Sequence, residues 1–179
     1  DDTVTHTGGA VDVITLGAGQ DTIKVGSAYD NSTDAFKVTD FARGTGGDII
    51  SVDVDAVDGA IAGLVDNLDI AGAKYVEGSV GTVGVNDSAT AFATNSVNVL
   101  TGASFATYAA AEAEMLIENG GTDMTDVAVL FLNSTSGVAE MYFSDSIDDA
   151  TYDYLVASFT DVTTLDQLAE FAVGNFSEF

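Results

Sequence analysis

The 179-residue chain contains no cysteine, one histidine and only four basic residues. A chain of this length buries roughly 70% of its unfolded surface, a core large enough to stand without disulfides. The missing cysteines also suit large secreted bacterial proteins that cross both membranes unfolded. Basic charge is scarce as well as unevenly placed: Lys24, Lys37, Arg43 and Lys74 all lie before residue 75, against 29 acids and a net charge of −25. Such a surface repels phosphate backbones, which excludes a nucleic-acid partner, and it repels anionic membranes for the same reason. No apolar run approaches the length of a membrane-spanning helix, and no secretory signal peptide opens the sequence. The single His6 lacks the further nitrogen, sulfur or nucleophile partners that a zinc site or catalytic triad needs. It is expected to be an exposed residue with no catalytic part. Carboxylate pairs could in principle hydrolyse glycosides, but among 29 acids such pairs arise by chance. The expectation is a protein that is not an enzyme.

Hydrophobic residues make up 46% of the chain and mean hydropathy is +0.25, so the charge does not imply disorder. A compact state this acidic repels itself unless counter-ions neutralise it. Bound divalent cations are one remedy; a halophilic or marine solubility strategy without specific sites is the other.

Two adjacent stretches, 7–15 and 16–24, read as copies of one unit: small residues, then Asp, any residue, and Ile. Asp12 and Asp21 are the fixed points. In Gly8, Gly9, Gly17 and Gly19, positive φ is free, so carbonyl oxygens can turn toward a cation. The aspartate adds a hard anionic oxygen, and the Ile two residues on faces inward because strand side chains alternate. Calcium accepts six to eight such oxygens in flexible geometry. Asp2 opens the terminal triplet of a preceding unit (2–4) and Asp34 that of a following one (34–36), after an insertion around residues 29–33. With two nonapeptides per coil, Asp2 and Asp21 fall on one edge, Asp12 and Asp34 on the other. Thr7, Ala10 and Leu16 depart from the glycine pattern, and a plain β-hairpin with glycine turns is the alternative. Because residues 2–4 already end a unit, the chain reads as beginning inside a longer protein.

The nonapeptides resemble the GGxGxDxUx repeat of repeat-in-toxin (RTX) proteins. Residues 38–52 are similar to the segment that closes such rolls, with Asp40 before Phe41, a glycine-rich turn, and Asp48 before a hydrophobic strand. The C-terminal stretch 129–143, followed by 156–162 and 175–179, looks like the end of RTX proteins exported by type I secretion. The resemblance implies Ca2+ as cofactor, folding triggered by calcium outside the cell, and recognition of the unfolded C-terminus by the export machinery. Residues 53–59 only superficially resemble an EF-hand: the glycine is misplaced and Leu64 stands where glutamate is needed. Those acids read as turn residues, with Asp53 or Asp55 a candidate for closing the ion stack.

Beyond the roll, 60–103 reads as short strands joined by polar turns, including 80–85 and 96–100. Ser104 reads as the cap of a helix over 105–118, with Phe105, Tyr108, Ala109, Met115 and Leu116 on the core face. Strands at 127–132, 138–143 and 152–159 predict an antiparallel meander. Thr164 and Gln167 form a possible capping box for a last helix carrying Leu165, Leu168, Ala169 and Ala172.

The expected fold is therefore mainly β: a short parallel β-roll of calcium-binding nonapeptides over 1–55, then a β-rich region over 56–179 with an antiparallel meander and two short helices. The metal ligands expected are Asp2, Gly8, Gly9, Asp12, Gly17, Gly19, Asp21, Asp34, Asp40 and Asp48. The function expected is a secreted, calcium-stabilised surface-layer, filament or adhesin subunit of a Gram-negative-type bacterium. Its partners would be calcium ions, copies of itself or cell-surface polysaccharide, and the type I secretion machinery. Two alternatives stand beside it. One is the export and folding module of a secreted protease or lipase. The other is a carbohydrate-binding module using Tyr108, Tyr142, Tyr152 or Tyr154.

Overall fold

The computed structural model describes residues 1–6, 11–26, 35–52, 75–81, 83–86, 92–148 and 153–178. Its first strands pass alternately between two sheets. Strands β1 (Thr3–His6), β3 (Thr22–Val25) and β5 (Ile49–Val52) lie side by side in an all-parallel sheet. Strands β2 (Val13–Ile14) and β4 (Phe36–Val38) pair, also in parallel, in the opposite sheet. This is the parallel roll expected from the nonapeptides. Thr3 pairs with Thr22, so one coil takes up two repeats, and Asp2 and Asp21 meet on one edge.

The residue two places after Asp12, Asp21 and Asp48 turns inward, as period-two alternation requires, whereas Ala42, two places after Asp40, is exposed. Ile14, Ile23 and Ile50 are buried, and Val25, Phe36, Val38 and Val52 join them in one core. Each such side chain contributes about 1.5–3 kcal/mol by leaving water. The same alternation corrects the expectation for His6. It ends β1 at an inward position, 2% exposed, with its ring 5.0 Å from that of Phe36.

The rest of the chain extends both sheets. Strands β8 (Thr125–Asn133), β9 (Val138–Ser146) and β10 (Asp153–Phe159) form the antiparallel meander, and β10 then pairs in parallel with β4 of the roll. On the other side of β8 lie β7 (Val97–Phe105) and β6 (Tyr75–Ser79), both parallel to it. The last strand, β11 (Phe176–Glu178), pairs in parallel with β5 and completes the order β1-β3-β5-β11. Segments before and after residue 55 thus share both sheets and one core.

The seven-stranded sheet is covered on both faces. Ala128, Leu130, Ala139, Met141 and Phe143 face the roll. Val127, Val129 and Phe131 face helix α1 (Tyr108–Glu118) with its Met115. This helix starts later than expected. Ser104 and Phe105 stay in β7, paired with Leu132 and Asn133, and the cap is Thr107, whose side chain accepts from the Ala110 N–H. Its buried side follows Tyr108, Ala111, Glu112, Met115 and Glu118, while Ala109 is exposed. Residues 83–85 form a turn where a strand was expected, with Val83 and Val85 exposed.

Helix α2 (Leu165–Leu168) is capped by Thr164 and stops short of Ala172. The Gln167 side chain reaches back to the Thr163 N–H, one residue before the cap. The chain then makes a 3-10 turn, Val173–Asn175, because Asn175 holds it down on the roll.

Candidate functional site

The turn Gly17-Ala18-Gly19-Gln20-Asp21 has a near copy one coil further on, Gly44-Thr45-Gly46-Gly47-Asp48. The backbones match too: φ is +91° and +126° at Gly17 and Gly19, +84° and +81° at Gly44 and Gly46. At Gly19 a Cβ would lie 2.8 Å from the Asp1 carboxylate and 3.1 Å from the Asp1 nitrogen, so Asp1 would have to shift.

The aspartates of this edge form a ladder. Asp2 donates its N–H to Asp21 Oδ1 at 2.5 Å, and Asp21 donates its N–H to Asp48 Oδ1 at 2.9 Å. In return the carbonyls of Asp2 and Asp21 accept from Thr22 and Ile49. Each coil is therefore tied to the next by one carboxylate and one carbonyl at the same place. Asp48 Oδ2 also accepts the Ala42 N–H at 2.7 Å. Asp21, fully buried like Asp48, differs in that its Oδ2 has no hydrogen-bond partner among the described residues, while its Oδ1 lies 3.7 Å from the terminal ammonium of Asp1. A buried carboxylate oxygen in that condition costs free energy unless a positive group reaches it.

On the opposite edge Asp40 Oδ1 and Oδ2 accept the N–H groups of Leu16 and Gly17, both at 2.8 Å. Asp12 is exposed, its carbonyl accepts from Lys37, and its Oδ2 lies 3.5 Å from His6 Nδ1. Gly8, Gly9 and Asp34, expected as ligands, lie outside the described residues, as do Asp53 and Asp55.

One place in this set could take part in holding a cation. Asp21 supplies a desolvated anionic oxygen without a donor, and the left-handed glycines beside it free main-chain carbonyls to turn. Asp2 stands next to it in the ladder. Asp40 and Asp48 already spend both oxygens on N–H donors. Among the described residues no three His, Cys, Asp or Glu side chains gather closely enough to hold an ion by themselves. Oxygens for a cation would have to include main-chain ones.

The closing turn is gripped from the C-terminal side, which the sequence did not reveal. Asn175, fully buried, accepts the N–H groups of Gly44 and Ala172 at Oδ1 and donates through Nδ2 to the carbonyl of Asp48 at 2.8 Å. Arg43 reaches Asp161 at 2.7 Å, Glu170 at 3.0 Å and the carbonyl of Phe41 at 3.0 Å. The clearest available signal was Arg43 itself, a rare cation inside the glycine turn.

The tyrosines weighed as sugar platforms take other positions. Tyr108 is buried and lies flat on Tyr142, ring centroids 4.3 Å apart. Tyr154 packs partly buried against the main core, and Tyr152 is outside the described residues. Burial, then the charge of Glu140 and that of Asp153, push Tyr142 up to about 12. Tyr108 is raised well above the ordinary tyrosine value, first by burial and then by Glu112. Comparison with protein-family models, curated proteins and solved structures finds no match to this chain.

Proposed function

We propose that this chain is a calcium-stabilised structural protein of the RTX kind, secreted and working at or beyond the cell surface, with the roll as its ion-dependent element. The observation that carries the reading is Asp21: a buried carboxylate with one undonated oxygen, set in a Gly-x-Gly-x-Asp turn and stacked on a second such turn. A bound calcium would neutralise that oxygen and join it to oxygens of the adjoining turn. Asp21 would hold the ion, with Asp2 and main-chain carbonyls around Gly17 and Gly19 in support.

Compartment follows from affinity. Extracellular calcium modules bind in the range of about 0.1–1 mM, so they fill outside the cell and stay empty in cytosol. Binding free energy then becomes folding free energy, which keeps the chain open for export and closes it afterwards. β1 and β2, strands of the first coil, are outer strands of their sheets, and Val11 and Val13 are exposed; either a preceding coil or a second copy of the chain could add to such an edge.

Calcium titration of the whole chain, followed by circular dichroism and light scattering, tests both parts. The expected result is a rise in melting temperature at millimolar calcium, reversed by chelator, with growth of assemblies. Equal melting temperatures with calcium and with chelator would remove the reading.

A further inference from the structure

We infer that the roll divides its aspartates between two jobs: Asp21 is kept for a cation, whereas Asp40 and Asp48 act as cation substitutes that fasten the closing coil without metal. The first half rests on the calcium reading above; the second does not.

Turns of consecutive coils must be held together at their edges, where no strand ladder reaches. A cation does so by collecting carbonyl and carboxylate oxygens. A carboxylate can do the converse, collecting N–H groups, provided that the backbone presents donors to both oxygens. Such charge-assisted bonds are short and roughly twice as strong as neutral ones. Successive main-chain N–H groups directed at one anion also form a recognised concave anion site.

Asp48 satisfies that description. Its two oxygens take the N–H of Asp21 from the preceding coil at 2.9 Å and that of Ala42 from its own turn at 2.7 Å. It is 0% exposed, so its charge is balanced by these dipoles and not by water. Asp40 repeats the arrangement across the roll, taking consecutive N–H groups of Leu16 and Gly17. Leu16 occupies a place where the repeat has glycine, yet its N–H is turned inward to Asp40 all the same. A metal bound through these oxygens would have to compete with donors already in place. At Asp21 the Asp2 N–H engages Oδ1 alone, and Oδ2 stays without a donor.

The division predicts opposite responses from like substitutions. Asp48→Asn puts an amide N–H against a main-chain N–H, so melting in chelator should fall by about 3–8 °C while the calcium-induced rise survives. Asp40→Asn should do the same on a smaller scale. Asp21→Asn should lose the calcium-induced rise and melt in chelator close to the parent, because it removes a buried carboxylate whose Oδ2 has no donor and gives up only the 3.7 Å contact of Oδ1 with the terminal ammonium of Asp1. Amide exchange needs no substitution: in chelator the N–H groups of Leu16, Gly17, Asp21 and Ala42 should be protected.

Fast exchange at those four amides in chelator would overturn the inference, as would a calcium-induced rise abolished by Asp48→Asn or Asp40→Asn. If Asp48→Asn does not fold, Asp40→Asn and the amide exchange decide. A parent protein indifferent to calcium would sink the calcium reading and the role of Asp21, whereas the chelator measurements would still settle the fastening by Asp40 and Asp48.

Discussion

The side-chain amide of Asn175 donates to the main-chain carbonyl of Asp48 across 127 positions of sequence. The same side chain accepts from Gly44 and Ala172, so one buried residue satisfies polar groups of both the closing turn and the tail. Asn175→Ala leaves those groups buried and unpaired, at about 1–3 kcal/mol each before any relaxation. A net loss of about 3 kcal/mol is expected in urea unfolding. Asn175→Asp, which turns a carboxylate toward carbonyls, should be no milder. An unchanged midpoint for Asn175→Ala would show that the tail does not hold the turn.

Arg43 joins the closing turn to Asp161 and Glu170. Arg43 is mostly buried, whereas Glu170 is largely exposed, so the Asp161 contact carries more of the effect. Arg43→Met keeps the apolar stem and removes the fork, and should cost about 1–3 kcal/mol in low salt. The difference from the parent should shrink as salt rises, since screening weakens the exposed part of the network. Melting curves across ionic strength would check it; a salt-independent difference would mean lost packing instead.

Gly19 and Gly46 occupy equivalent places in the two turns but are not equally sensitive. Alanine at Gly19 would be strained in its left-handed backbone and would press on Asp1, whereas alanine at Gly46 would meet nothing within 4 Å. Gly46→Ala should cost about 1–2 kcal/mol from the backbone alone, and Gly19→Ala measurably more. Equal losses by thermal unfolding would contradict the placement of Asp1.

Alkali should destabilise the region beneath α1. Tyr142 holds its proton to about 12 because burial and the charges of Glu140 and Asp153 disfavour phenolate, while an unfolded tyrosine ionises near pH 10. A folded value above the unfolded one gives a contribution that is whole below pH ~10 and is lost as pH rises toward 12. Stability should therefore fall across that window, and Tyr142→Phe should flatten the fall. Ultraviolet titration should find Tyr108 and Tyr142 ionising after the more exposed of the six tyrosines. A single uniform step near pH 10 in folded protein would refute it.

What could be read from the sequence was local. The Asp-x-Ile spacing gave the inward residues of the roll, and the runs at 127–132 and 138–143 gave the meander, because period two is written in neighbouring residues. The Asn133 turn was equally plain, its side chain accepting from Thr135 and Ser136. Long-range relations were not legible. Nothing near Asn175 names Asp48 as its partner, and nothing near Phe176 names β5. His6 is polar and yet buried, because its place in the alternation of β1 outweighs its polarity. The α1 boundary slipped because Ser104 is a good cap in isolation, while pairing with Leu132 keeps it extended. The aspartates were recognised as a set, but a cation ligand and a backbone fastener are the same residue type. Only the direction of the surrounding N–H groups tells them apart.

Strand β11 sits on the outer side of β5. Proteolytic clipping just ahead of Phe176 would therefore bare a row of main-chain donors and acceptors on β5, and the shortened product would be prone to clump with its like. The last strand of the parallel sheet must likewise wait for the distant tail, a non-local pairing of the kind that slows folding.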